Sequence, residues 1–350
     1  MKLNKRLWSY IAIFFITFFA INIPIPYYIE KPGSAIPLGP MVQVQDGYHE
    51  KKGSLSLTTV RMGPTNIGGY FYALVSPYAD VVNVGMVHSP HETDEQYSQR
   101  QLEIMKFSQD TAKIVAFQRA GYDVKIKNSG AIVMQLLPGF AAENVLQIGD
   151  VIIGVNDTKV ETAIGLIEAL KGKQNGDLVK ITYIRDGQEQ TANLELKPLP
   201  VATEDGKKKA GIGISSPITN RTFTLPKEVT IKSEEIGGPS AGLMFTLEMI
   251  NQLSPEDITK GYPIAGTGTI QEDGSVGPIG GIEHKVVAAE REGIKYFFAP
   301  SLTTEPGEKS NYDEAVERAK DLDLKMEIVP VETVDDALRF LEKLKPMQGA

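Results

Sequence analysis

Two glycine-bounded segments constrain this chain more than any other feature. Gly237-Gly238-Pro239-Ser240-Ala241-Gly242 sets a serine on a turn at the start of an apolar helical run. About 45 residues on, Pro278-Ile279-Gly280-Gly281-Ile282-Glu283-His284-Lys285 delivers a lysine in the first turn of another helix. Strands alternate with helices around both, so an α/β or α+β domain must carry them. A serine hydroxyl is a weak nucleophile until a base takes its proton, and a desolvated lysine amine can be that base. The pair points to hydrolysis by a Ser/Lys dyad.

Other chemistries fit less well. Gly238-x-Ser240-x-Gly242 satisfies the nucleophile-elbow pattern, but that triad needs an acid and then a histidine after the serine. Only His284 follows Ser240, and it lies close by. Zero cysteines exclude disulfides, thiolate metal sites and cysteine nucleophiles. His-Glu-x-x-His is absent, and Pro90 separates His88 from His91 and Glu92, so no metal is expected. No cofactor is expected either. The net charge of -8 excludes nucleic acid as the default partner, and Lys207-Lys208-Lys209 reads as a solvated linker.

Lysine as base carries an energetic condition. An unperturbed amine, with pKa about 10.4, is neutral in fewer than about one molecule in a thousand at pH 7. Bringing it to about 7–8 costs roughly 3–5 kcal/mol, which the fold must supply. Apolar Ile282, Val286 and Val287 surround Lys285, and a helix N-terminus disfavours its ammonium form. The same dipole places Gly238, Ser240 and Ala241 where backbone N–H groups can stabilise an oxyanion.

At 350 residues, with 42% hydrophobic and 23% charged residues, the chain has room for two or three folded domains. Lys2, Lys5 and Arg6 precede an apolar run from Leu7 to Ile25 that is flanked by Trp8, Tyr10, Tyr27 and Tyr28. That pattern predicts a cytoplasmic tail over 1–6 and a transmembrane helix over 7–29. The remainder would then lie outside the cytoplasm, with membrane lipid as a partner of the helix. A cleaved signal peptide is the rival, but no A-x-A site follows.

Residues 30–120 read as a mixed, β-rich domain. Strands are expected over Met41–Gln45 and Leu55–Val60, β-rich pieces over Tyr70–Val75 and Val81–Val87, and a helix from Glu92 to Ala120. Over 121–198, strand, Pro-Gly turn, short helix, Gly149-Asp150 turn, strand, helix and a hairpin at Asp186-Gly187 follow in quick order. That stretch resembles a PDZ domain of bacterial envelope proteases, a small β-barrel with helices that binds extended peptides by strand addition. A polar linker leads to 210–344, an α/β domain. Capping pairs are expected at Asn311/Glu314 and Thr333/Asp336.

Residues 210–344 resemble the proteolytic domain of the Lon family. Gly238-Pro239-Ser240-Ala241-Gly242 matches the segment that carries its nucleophile. Thr267-Gly268-Thr269-Ile270, with Pro278-Ile279-Gly280-Gly281 ending at Lys285, matches the segment that carries its base. The resemblance implies Ser240 as nucleophile, Lys285 as base and Thr267 as the hydroxyl orienting the lysine. Many Lon domains have an acidic residue where this chain has Gly237, and Glu235 is the substitute to consider. No Gly-x4-Gly-Lys-Ser/Thr occurs. Anchor, mixed domain, PDZ and protease in this order resemble the YlbL-type membrane-anchored peptidases of bacteria. These resemblances imply an ATP-independent endopeptidase acting on unfolded or envelope proteins, with homo-oligomers by analogy to Lon rings. The alternative is a PDZ scaffold on an inert protease fold.

Overall fold

The computed structural model describes residues 5–89, 92–202, 208–233, 236–303 and 307–347. The apolar amino-terminal run forms helix α1 (Lys5–Ile21) and stops there. Proline cannot donate to a helical ladder, and from Pro24 the chain becomes strand β1 (Pro24–Pro37). This corrects the transmembrane helix expected over 7–29. A helix of 17 residues reaches roughly 26 Å, short of the ~30 Å hydrocarbon layer. No helix among the described residues is long and apolar enough to cross a membrane. Tyr28, expected at an interface, is buried in β1, and its hydroxyl donates to Asp94 Oδ1 at 2.6 Å.

Next come β2 (Val42–Val44), β3 (Ser54–Asn66), α2 (Ile67–Val75), β4 (Asp80–Asn83), the single turn α3 (Val84–Val87) and the long α4 (Asp94–Arg119). The aromatic residues at 70–72 suggested a strand, but Asn66 caps this segment as a helix by accepting from Gly69 N–H at 2.8 Å. A capping box of Thr93 and Gln96 opens α4.

A second unit follows: β5 (Lys125–Ile132), β6 (Gln135–Leu136), β7 (Val151–Val155), β8 (Thr158–Lys159), α5 (Ala163–Leu170), β9 (Leu178–Arg185) and β10 (Gln188–Glu195). Asp186 and Gly187, both at positive φ, turn the β9–β10 hairpin in the register Arg185↔Gln188. Ile152, Ile181 and Leu194 centre a core of its own. Then β11 (Lys197–Ala202) and β12 (Lys208–Gly211) form a ribbon, β13 (Ile214–Ser215) pairs with β6, and β14 (Ile218–Thr224) pairs with β5.

The chain ends with β15 (Val229–Ile231), α6 (Gly242–Leu253), β16 (Pro263–Gly266), β17 (Thr269–Ile270), β18 (Val276–Gly277), α7 (Ile282–Arg291), β19 (Tyr296–Pro300), α8 (Asn311–Asp321), β20 (Glu327–Val331) and α9 (Val334–Lys343). The α9 capping box is Thr333/Asp336, whereas α8 is capped by Ser310 with Asp313, not by Asn311. Asn311 is occupied elsewhere: it accepts from Ile279 N–H at 2.7 Å and donates to Ile279 O at 3.1 Å, holding the turn before α7.

One sheet runs β20-β19-β16-β3-β1-β4. Strands β3, β16, β19 and β20 pair in parallel, while β1 pairs antiparallel to both β3 and β4. Three of these six strands lie within or beside 30–120 and three within 210–344. The two segments expected as separate domains therefore share one sheet. Burial explains why. Leu55 and Leu57 of β3 and Ile264 of β16 are at most 1% exposed, and a buried parallel strand needs a neighbour on each edge. Phe245, Phe298 and Phe117 pack on one face, and Val286 and Phe297 on the other. The PDZ-like unit is an insertion between α4 and β15.

Candidate active site

Ser240 sits immediately before α6, on a loop held by its backbone. Gly238 has φ +88°, a conformation that side-chain-bearing residues rarely adopt. Gly238 N–H donates to Gln101 O at 2.9 Å, and Ser108 Oγ donates to Pro239 O at 3.0 Å, so α4 grips the loop from one side. A Cβ at Gly237 would stand 2.7 Å from Gln101 Cβ, so this position has no room for the acidic residue of many Lon domains. Glu235 lies outside the described residues. From the other side, Ser240 O accepts from Thr267 Oγ1 at 2.9 Å and from Gly268 N–H at 2.8 Å.

Gly281, at φ +68°, starts α7, and Glu30 Oε1 fills the space where a Cβ would stand. One turn on, Lys285 is 4% exposed. Its Nζ donates to Ser240 Oγ at 2.7 Å, Thr267 Oγ1 at 3.1 Å and Thr58 O at 3.1 Å. The structure thus brings Ser240, Lys285 and Thr267 within hydrogen-bond distance. Burial pulls the Lys285 pKa from its usual range down to about 7, and the Glu30 carboxylate opposes this by favouring the ammonium. Burial in turn raises Glu30 itself, helped by nearby Asp80.

Thr58 and Glu30 were missed from the sequence. They belong to β3 and β1, more than 200 residues before Lys285, and no motif marks them. His284 does not approach Ser240. Its Nε2 lies 3.1 Å from Asp80 Oδ2, and burial lowers its pKa. Of the earlier histidine cluster, His88 stacks on Tyr97, Glu92 pairs with Arg100 at 2.7 Å, and His91 is outside the described residues.

The pair opens onto a cleft of about 990 Å³ walled by β3, α4, the loop 236–241 and the turn 278–281. β3 pairs with β16 only through Leu57. From Thr58 to Met62 that edge has no strand partner among the described residues and runs along the cleft. An extended chain can add there, because an unpaired edge presents N–H and C=O groups in register. Gly242 N–H bonds Pro239 O at 3.2 Å and Leu243 N–H bonds Gly268 O at 3.1 Å. The Ser240 and Ala241 N–H groups have no acceptor among the described residues, so they are open donors at a helix start.

Residues 118–196 match the family model described as PDZ domain. The Lon protease of Metamycoplasma arthritidis is 38% identical over 108 residues, covering 31% of this chain and 12% of that protein. The Lon protease of Campylobacter concisus is 27% identical over 205 residues, covering 55% of this chain and 24% of that protein. The serine protease Do-like HtrA of Lactococcus lactis is 33% identical over 144 residues, 40% of this chain and 33% of that protein. The chain therefore spans about an eighth to a third of the length of these curated relatives. It is a multidomain α/β chain that carries a PDZ domain and is similar in sequence to Lon proteases.

Proposed function

We propose that this chain is a serine endopeptidase of the YlbL type, with Ser240 as nucleophile and Lys285 as general base, cutting extended polypeptides without ATP. The observation that carries it is the 2.7 Å contact between Lys285 Nζ and Ser240 Oγ, made by an amine whose pKa burial brings to about 7. Lys285 takes the proton from Ser240 as Oγ bonds to the scissile carbonyl carbon. The Ser240 and Ala241 N–H groups receive the oxyanion. Lys285 then protonates the departing amine, leaving an acyl-enzyme. Water attacks that ester, Lys285 accepting its proton and returning it to Ser240 Oγ. Thr267 ties the two groups together by donating to Ser240 O while accepting from Lys285. The free edge of β3 supports an extended substrate.

The test is casein cleavage by the full chain in the absence of ATP. A fragment starting at residue 30 would cut into β1 and is unsuitable. Cleavage should vanish in Ser240→Ala and Lys285→Ala, and undiminished cleavage by either variant rules out the dyad. The scaffold alternative draws on the PDZ domain alone and leaves the lowered Lys285 pKa without a use.

A further inference from the structure

The PDZ match ends at residue 196, yet the sheet of that unit continues with a strand from beyond it. In the order β10-β9-β7-β5-β14, the last strand lies along the edge of β5. It runs antiparallel from Ile218↔Ile132 to Thr224↔Lys125, with one irregularity between Thr219 and Arg221. On its other side β14 meets the start of α5, where Ala163 N–H donates to Thr219 Oγ1 at 3.0 Å. Without β14, β5 would be an open edge beside a helix. PDZ domains take up an extended peptide as an added strand on such an edge. Here the chain supplies the strand itself.

The same strand is tied to the loop that carries Ser240. Arg221 has a side chain only 6% exposed, although Thr222 and Thr224 beside it are exposed. Its guanidinium donates to Thr111 Oγ1 at 2.8 Å, lies 4.3 Å from the Phe107 ring centroid, and pairs with Glu272. Thr111 and Phe107 belong to α4, the helix whose Gln101 and Ser108 hold Gly238 and Pro239. One helix therefore connects occupancy of the groove to the serine loop.

We infer that β14 is an intramolecular ligand closing the PDZ groove, and that an extended polypeptide binds there only by displacing it, which loosens the grip of α4 on the serine loop. The partner that fits is a strand with a hydroxyl side chain at the position of Thr219, facing Ala163 N–H. A tethered strand competes at an effective concentration on the order of millimolar. The groove therefore opens only to a tight or locally concentrated partner. The regulatory consequence rests on the reading of Ser240 as nucleophile; occupancy and loop release do not.

Full-length wild type, Arg221→Ala and Arg221→Lys are compared for binding a fluorescein-labelled peptide copying residues 215–226, and by hydrogen exchange. Arg221→Ala should bind the peptide at least tenfold more tightly than wild type. It should also exchange faster over 218–224 and 236–241 while keeping wild-type protection in β9 and β10. Arg221→Lys, which retains a cation over Phe107, should stay close to wild type. Should Arg221→Ala unfold the PDZ unit, Thr219→Val provides a milder release, with the same gain expected at smaller size. Binding within twofold of wild type, with 218–224 still protected, overturns the inference. So does release of β14 with unchanged exchange over 236–241. A chain that shows these changes but cuts no casein sinks the peptidase reading alone.

Discussion

Lys285 Nζ lies 2.7 Å from Ser240 Oγ, although one residue sits on the loop before α6 and the other in the first turn of α7, 45 residues apart. Thr58, Thr267 and Glu30 complete the surroundings, with Thr58 and Glu30 arriving from the amino-terminal strands. Depth and partners together set the amine's pKa, and that is what makes the contact chemically useful.

The first expectation concerns pH. Only the neutral amine can accept the serine proton, so cleavage should rise with pH, reach half its plateau near pH 7 and fall about tenfold per unit below it. Glu30 raises the Lys285 pKa, so Glu30→Gln should lower it and move the rising limb to more acidic pH. A pH–rate profile displaced to alkaline pH would contradict this electrostatic account.

Burying this amine costs stability. Its folded pKa of about 7 lies below the unfolded value of 10.5, so the unfolded state binds more protons between these limits. The cost is full, about 4–5 kcal/mol, below pH 7 and fades as pH rises toward 10.5. Lys285→Met removes it but also loses three hydrogen bonds of about 1 kcal/mol each. A net gain of about 1–2 kcal/mol is expected at pH 6, turning into a net loss of about 2 kcal/mol at pH 10, where the penalty has nearly vanished and only the lost hydrogen bonds remain. Urea midpoints of the two proteins at both pH values measure it, and a variant less stable at pH 6 refutes it.

Thr267 is fully buried and bonds both members of the pair. Thr267→Val keeps its shape and removes the hydroxyl. Ser240 O retains Gly268 N–H, so the loop should hold while the amine loses an orienting acceptor. A drop in kcat of about tenfold to a hundredfold is expected with little change in KM. A rise in KM alone would assign Thr267 to substrate binding.

Gly237 faces Gln101 across 2.7 Å of would-be Cβ contact. Gly237→Ala should therefore push the serine loop off α4, costing about 1–3 kcal/mol of stability and lowering cleavage. Gln101→Gly removes the opposing atom, so the double variant should recover part of both losses. Additive losses in this double-mutant cycle would show that the two positions do not touch.

Several elements were legible locally. The Asp186-Gly187 hairpin and the Thr333/Asp336 cap are each decided within a few residues, by positive φ and by a hydroxyl meeting an amide. Local reading failed where a specific partner overrode the intrinsic preference of a segment, whether a nearby cap or a strand far off in sequence. Residues 70–75 carry strand-forming aromatics, yet the cap at Asn66 makes them helix. Residues 24–29 extend an apolar run, yet pairing with β3 and β4 makes them strand. Asn311 looked like a cap, but Ile279 had a stronger claim on its amide.

By itself, the sequence determined which groups were available: a serine between glycines, a lysine after a glycine pair, and a single downstream histidine, His284, in the wrong place for a conventional triad. It also determined where helices could start, because glycine and hydroxyl side chains act on their immediate neighbours. Only the tertiary structure decided the rest. A single sheet drew β1 and β3 beside β16 and enclosed Lys285, and β14 filled the PDZ edge. Desolvation and strand pairing depend on what surrounds a residue in space, and no local spacing along the chain encodes that.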